Sequence, residues 1–191
     1  MVNNFYDDET NVNEYIKMAE GFDGREFMPV LRQYLPEDAH ILELGMGPGK
    51  DLALLAEYFK VTGSDRSQFF VNRYLKDHPE ADVLVLDAAD LKLERTFDGF
   101  YSNKVLMHLP REALKDSLAQ QAQHLNPGGT LLHSLWVGEG EETISDLLFV
   151  YYNEDTLANA LPDALEIVTI QTYAEMEEND SLYVVMRKKS N

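Results

Sequence analysis

Short runs of continuous hydrophobicity punctuate the chain at residues 40–44, 60–64, 82–86, 97–102 and 130–136. Each is rich in Val, Ile, Leu or aromatic residues and is bounded by Gly, Asp or Asn. Apolarity without alternation over so few residues suits strands buried on both faces, as in a parallel sheet. Between these runs the apolar positions take a helical period. Phe27, Leu31, Tyr34 and Leu35 share one face, as do Leu52, Leu55 and Phe59, and Phe70, Tyr74 and Leu75. The clearest stripe is Leu114, Leu118, Ala122 and Leu125, entered through Pro110 at an expected first helical position and stopped by the turn Asn126-Pro127-Gly128-Gly129. Strand–helix alternation of this kind predicts right-handed crossovers and a doubly wound α/β sheet.

The end of the chain breaks this rhythm. Residues 165–173 and 182–186 both read as strands, but only eight residues separate them. A parallel crossover needs a dozen or more, so the pair is expected to be an antiparallel hairpin. The expected fold is Rossmann-like: about seven strands, mostly parallel, with one antiparallel strand in the C-terminal hairpin. No repeat or Pro/Gly/Ser linker divides the chain. One domain over 1–191 is expected, with 1–24 as an N-terminal arm and 137–161, including a helix at 154–161, as an insertion.

Charge narrows the partners. The 191 residues include 34 acidic and 16 basic ones, a net charge of −18 with a pI near 4.5. Nucleic acids and anionic membranes attract clustered Lys and Arg, and the only basic cluster is Arg187-Lys188-Lys189. Neither partner is expected. With no cysteine, disulfides, thiolate metal sites and thiol nucleophiles are excluded. The first residues lack the basic and apolar regions of a signal peptide, and no apolar run reaches the roughly 20 residues of a membrane span. A cytoplasmic location is expected.

The sharpest local pattern is Ile41-Leu42-Glu43-Leu44-Gly45-Met46-Gly47-Pro48-Gly49-Lys50-Asp51, which runs from a predicted strand into a predicted helix. Glycines at alternate positions allow a tight turn and let backbone N–H groups approach a ligand. The spacing is G-x-G-x-G, not the G-x-G-x-x-G of dinucleotide sites. Lys50 followed by Asp51 does not complete a phosphate-binding P-loop. Asp65 ends the second predicted strand, some twenty residues after Gly45. An acid at that distance can accept from both hydroxyls of a ribose. Asp87 ends the third predicted strand, where it can accept from an adenine amino group. Each aspartate can equally serve as a helix or turn cap.

Taken together these segments resemble the class I S-adenosylmethionine-dependent methyltransferases, from about residue 25 to residue 188. Glu43-Leu44-Gly45-Met46-Gly47-Pro48-Gly49 is similar to that family's acidic glycine loop. The segment 97–109, with Val105-Leu106-Met107-His108-Leu109, and Leu125-Asn126-Pro127-Gly128-Gly129 resemble signatures of its small-molecule, type 11-like subgroup. The resemblance implies that Gly45, Met46, Gly47 and Gly49 cup the methionine part of the cofactor, with Glu43 supporting them. It also implies ribose binding by Asp65 beside Arg66, adenine contact by Asp87 and Ala88, and Ser102 and Asn103 bordering the methyl group. The Asp/Asn-Pro-Pro-aromatic motif of amino-group methylases acting on bases and glutamine is absent, which points away from a nucleic-acid acceptor.

The implied reaction is in-line displacement of a sulfonium methyl by a small-molecule acceptor, helped mainly by alignment and exclusion of water. No residue announces itself as a catalytic base. His108, Asn103, Tyr6 and Tyr15 are the candidates; for His108 a structural place in the loop before the helix entered at Pro110 is the stronger reading. His133 reads as a hydrogen-bonded core residue, and His40, His78 and His124 as peripheral. No histidine has metal-ligand spacing, so no metal is expected. The arm at 1–24 is expected to act as a lid, and 137–161 to contribute to the acceptor pocket. Two other readings stand beside this one: a nicotinamide-dependent oxidoreductase, because Asp65 suits an NAD ribose equally, and a cofactor-binding module without catalysis.

Overall fold

The computed structural model describes residues 9–18 and 20–189. Seven strands form one sheet: β1 (His40–Leu44), β2 (Lys60–Asp65), β3 (Val83–Val85), β4 (Phe97–Asn103), β5 (Leu125–Trp136), β8 (Leu165–Tyr173) and β9 (Ser181–Lys188). Their order across the sheet is β3-β2-β1-β4-β5-β9-β8. All neighbours pair parallel except β9, which runs antiparallel to both β5 and β8. The C-terminal hairpin thus inserts its second strand between β5 and β8. A two-stranded sheet of its own, β6 (Glu141–Ile144) with β7 (Leu147–Val150), lies in the segment expected as an insertion. Among the described residues, no helix is long and apolar enough to cross a membrane.

The helices are α1 (Glu9–Met18), α2 (Met28–Tyr34), α3 (Lys50–Ala56), α4 (Gln68–Asp77), α5 (Arg111–His124) and α6 (Glu154–Ala160). Side chains that alternate along a strand supply both faces of the sheet. Ile41, Tyr101, Leu132 and Val185 pack with Phe27, Leu31 and Leu55 from the α2 and α3 side. Leu42, Leu44, Phe100, Leu131 and Val184 pack with Leu114, Leu118, Ala122 and Leu157 from α5 and α6. Burial on both faces is why these strands lack polar alternation.

Two expected boundaries shift. Pro110 caps α5 from outside, with an extended ψ of 150°, so the first helical residue is Arg111. The Asn126–Gly129 turn lies inside β5: Leu125 already pairs with Phe97, and Thr130 next pairs with Gly99, so residues 126–129 bulge out between them.

Strand order reverses between β1 and β4, because the chain moves outward through β2 and β3 before returning to the other side of β1. In open α/β sheets ligands bind outside the carboxyl ends of the strands at such a switch point. The Gly45–Gly49 loop follows β1 there, Asp65 ends β2, and Asn103 ends β4.

Candidate functional site

The loop after β1 needs its glycines. Gly45, Gly47 and Gly49 have φ of 69°, 50° and 85°, a region L side chains seldom adopt. A Cβ on Gly45 would stand 2.6 Å from both γ-carbons of Val105, and one on Gly49 would run into the Tyr74 ring. The loop is pinned by Met46 N–H donating to Ser64 O at 2.8 Å and by Gly47 N–H donating to Asp65 Oδ2 at 2.9 Å. The other carboxylate oxygen, Oδ1, accepts from Ser67 N–H at 2.8 Å. Burial pushes the Asp65 carboxyl up from its ordinary value, opposed by those two N–H groups and by Arg66. Each carboxylate oxygen has received one hydrogen bond and keeps capacity for another.

One cavity joins the expected residues. Gly45, Gly47, Asp65, Arg66, Asp87 and Ala88 form one part of its wall; Lys104, Val105, His108 and Leu109, which follow β4, form another. Phe70 of α4, Leu86 and Leu147 of β7 supply its apolar surface. The segment 137–161 therefore reaches the cavity through Leu147. Asp87 is exposed, and its Oδ1 accepts from Ala89 N–H at 2.9 Å.

The remaining expected residues stand off the wall. Met46 packs with Leu52 and Val71 behind the loop, so only its backbone belongs to the turn. Gly49 begins α3. Glu43 is buried on the α3 face of β1, and among the described residues its Oε2 has no hydrogen-bond partner. Burial, then the nearby Asp51 and Asp65 charges, raises the Glu43 carboxyl well above its ordinary value. Ser102 and Asn103 part company because successive residues of a strand face opposite ways. Ser102 is fully buried and its hydroxyl lies 2.8 Å from His133 Nδ1. Asn103 faces α3, donating to Asp51 Oδ2 at 3.0 Å and accepting from Ser134 Oγ at 2.5 Å. Both ends of that amide are engaged, which suits positioning more than proton transfer. Tyr6 lies outside the described residues; Tyr15 falls in α1, but its side chain lies outside them too.

His108 does line the cavity. Its Nδ1 lies 2.7 Å from Leu148 O, and a carbonyl only accepts, so Nδ1 carries the proton. Burial lowers its pKa, the Leu148 carbonyl opposes that, and the Arg66 charge reinforces it. His108 is therefore a neutral imidazole on the Arg66 side, held by the β6–β7 hairpin, with Phe149 edge-on at 4.9 Å.

Three features were not read from the sequence. Asp51, in the first turn of α3, accepts from Gly24 N–H at 2.7 Å and Tyr101 Oη at 2.7 Å as well as from Asn103. Lys104 adopts φ 55°, and its Nζ donates to Ser181 Oγ at 2.7 Å and Leu135 O at 3.1 Å while sitting 3.6 Å over the Trp136 ring. Burial lowers its pKa to about 8 against the pull of Glu175 and Asp180. Third, the cavity-lining hairpin β6–β7 had one available signal: the dipeptide Ser145-Asp146, with both φ positive, between two four-residue strands.

A methyltransferase-domain family profile matches residues 41–129, which run from β1 through the glycine loop, Asp65, Asp87 and α5. Residues 41–129 are a methyltransferase domain, and the fold that surrounds them is that of S-adenosylmethionine-dependent methyltransferases of solved structure, a family this chain is similar to. The chain is 32% identical over 113 residues to the tRNA U34 carboxymethyltransferase of Pseudoalteromonas atlantica, covering 56% of this chain and 34% of that protein. It is 28% identical over 121 residues to the trans-aconitate 2-methyltransferase of an Azoarcus species, covering 62% and 47%. It thus spans less than half the length of these curated relatives. Among solved structures, the 1,6-didemethyltoxoflavin-N1-methyltransferase of Burkholderia thailandensis, with bound 1,6-didemethyltoxoflavin and S-adenosylhomocysteine, superposes with a TM-score of 0.74. It is 21% identical and the match covers 99% of this chain and 85% of that one.

S-adenosylmethionine is the cofactor of this family. The residues present fit it: the loop has no room for Cβ atoms at Gly45 and Gly49, Asp65 keeps spare acceptor capacity, and among the described residues a buried Glu43 oxygen has no partner. Among the described residues there is no group of three or more His, Cys, Asp or Glu side chains that could hold a metal ion.

Proposed function

We propose that this chain transfers a methyl group from S-adenosylmethionine to a small-molecule acceptor. The observation that carries the reading is the single cavity uniting the glycine loop, Asp65 and Asp87 with the segment after β4. When bound, the cofactor supplies an electrophilic methyl on a sulfonium sulfur, which an acceptor nucleophile displaces in line. Asp65 takes the ribose hydroxyls, Asp87 and Ala88 take the adenine edge, and the Gly45–Gly49 backbone takes the methionine part. Glu43, buried behind that loop, offers a carboxyl close to the methionine ammonium. Phe70, Leu86 and Leu147 keep water from the cavity's apolar side, where exclusion of water strengthens each polar contact. Asn103, clamped between Asp51 and Ser134, fixes the end of β4 beside which the acceptor docks.

A net charge of −18 supports an acceptor that is not a polyanion, since phosphate backbones are drawn by clustered cations. The likeness to a tRNA-modifying enzyme extends over only 34% of that protein and bears on the shared domain. Asp65 would suit a nicotinamide ribose too, but the family match favours the methyl donor.

Calorimetric titration with S-adenosylhomocysteine tests the cofactor half of this reading. One site per chain is expected, weakened about 10- to 100-fold by Asp65→Ala, because hydrogen bonds to a charged group contribute about 1.5–3 kcal/mol. Absence of binding, or equal binding by the variant, would overturn it. Labelled cofactor offered to the small-molecule and RNA fractions of a cell extract tests the acceptor half. Label entering only RNA would refute the small-molecule assignment.

A further inference from the structure

Beneath the adenine side of the cavity runs a line of buried polar side chains. Ser102 of β4, His133 of β5, and Gln121 and Ser117 of α5 are each 1% exposed or less, and they link hand to hand. Ser102 Oγ lies 2.8 Å from His133 Nδ1, and His133 Nε2 lies 2.8 Å from Gln121 Oε1. Gln121 Nε2 donates to Ser117 Oγ at 3.1 Å, and Ser117 Oγ donates to Ala88 O at 2.6 Å. A core position of this kind ordinarily takes an apolar residue, since each polar group buried there costs free energy unless it is paired.

One carbonyl dictates the direction of the whole line. Ala88 O can only accept, so the Ser117 hydroxyl donates to it and must accept from Gln121. The Gln121 amide nitrogen therefore faces Ser117, which turns its oxygen toward His133 and requires a proton on His133 Nε2. Burial holds the His133 pKa down at about 3, so the ring is neutral and Nδ1 is an acceptor. The Ser102 hydroxyl is the donor to it.

The line does not stop at Ala88. The peptide group whose oxygen Ser117 holds is the one whose N–H, on Ala89, donates to Asp87 Oδ1 at 2.9 Å. Fixing one end of that planar group fixes the other. Gln120 grips the same turn, accepting from Leu91 N–H at 2.8 Å and donating to Ala89 O at 3.1 Å.

We propose that Ser117, Gln121 and His133 are positioning residues that orient the Asp87 carboxylate toward the adenine amino group of the cofactor. Oδ1 is held by Ala89, so Oδ2 is the oxygen presented to the ligand. Chains of hydrogen bonds that all donate in one sense polarise one another, which strengthens the last link. The inference rests on the reading of Asp87 as the adenine contact.

Two ligands separate its failure from the failure of that reading: S-adenosylhomocysteine, and the analogue in which hydrogen replaces the 6-amino group. Asp87→Ala is expected to weaken the first about tenfold and the second little. Ser117→Ala is expected to weaken the first about fivefold and the second little, to add nothing in the Asp87→Ala background, and to be rescued by Ser117→Thr. Equal weakening of both ligands by Ser117→Ala marks a purely structural role and overturns the proposal. No discrimination by Asp87→Ala removes the adenine reading and the proposal with it. The wild-type protein gives an independent check: nitrogen NMR of His133 must show a proton on Nε2 and none on Nδ1 at neutral pH. The opposite tautomer would reverse the line and refute it, even if the variants fail to fold.

Discussion

Replacing Asp51 by alanine removes the one acceptor on which donors from three separate segments converge. Gly24 N–H comes from the stretch before α2, Tyr101 Oη from the middle of the sheet, and Asn103 Nδ2 from the end of β4. Tyr101 is wholly buried, and burial together with the Asp51 charge holds its hydroxyl protonated far above the ordinary range. It therefore loses its partner with no water to replace it. A buried donor left unsatisfied costs about 1–3 kcal/mol. Asn103 is only half buried and can turn to solvent, and loss of the Asp51 charge relieves its repulsion of Glu43. The net cost is about 3 kcal/mol, or roughly 6–12 °C of melting temperature for a chain of this size. Urea unfolding at neutral pH, with an unchanged m-value, measures it. Tyr101→Phe alone is expected to cost about 1 kcal/mol, but to recover about 1–3 kcal/mol once Asp51 is gone, because it removes the stranded hydroxyl. A loss under about 1 kcal/mol for Asp51→Ala, or the same Tyr101→Phe cost in both backgrounds, would refute the convergence argument.

Glu43 and His133 give opposite pH signatures. Glu43 holds its proton more tightly folded than unfolded, so its contribution is full below pH 4.5 and is lost as pH rises through the raised folded value. Glu43→Gln is expected to flatten the alkaline-side decline in melting temperature of the ligand-free protein while weakening S-adenosylhomocysteine; an unchanged pH profile would refute the assignment. His133 has a folded pKa of about 3 against 6.5 unfolded, so its contribution is full above pH 6.5 and falls away toward pH 3. Between about pH 7 and pH 4.5 the loss is about 2–3 kcal/mol, read by urea unfolding at the two pH values and diminished in His133→Gln.

Strands buried on both faces announced themselves, because burial leaves only apolar residues to choose from; β1 and β4 were legible for that reason. The glycine loop was legible because three positive φ angles in five residues leave glycine as the residue of choice. The β6–β7 hairpin was not. All four residues of β6 are exposed, so no hydrophobic period marks it, and Ser145-Asp146 is a weak turn signal beside Asn-Gly. Ser102 and Asn103 were read as a pair because they adjoin in sequence, whereas the two-residue period of β4 sends them to opposite faces. His133 was legible as a core residue, but its partners Gln121 and Ser117 were hidden in the helical pattern of α5, where a polar residue ordinarily signals solvent.

The hairpin's hydrogen-bonding lattice is separate from that of the main sheet. Among the described residues β6 and β7 pair as strands only with each other, so no register of the seven-stranded sheet runs through them. They nevertheless deliver Leu147 to the cavity wall and Leu148 O to His108. A change of length at the exposed Ser145-Asp146 tip therefore leaves the pairing of the strands that carry Gly45, Asp65 and Asn103 untouched. The fold thereby separates a small, self-contained part of the cavity wall from the seven-stranded frame that carries the rest of it.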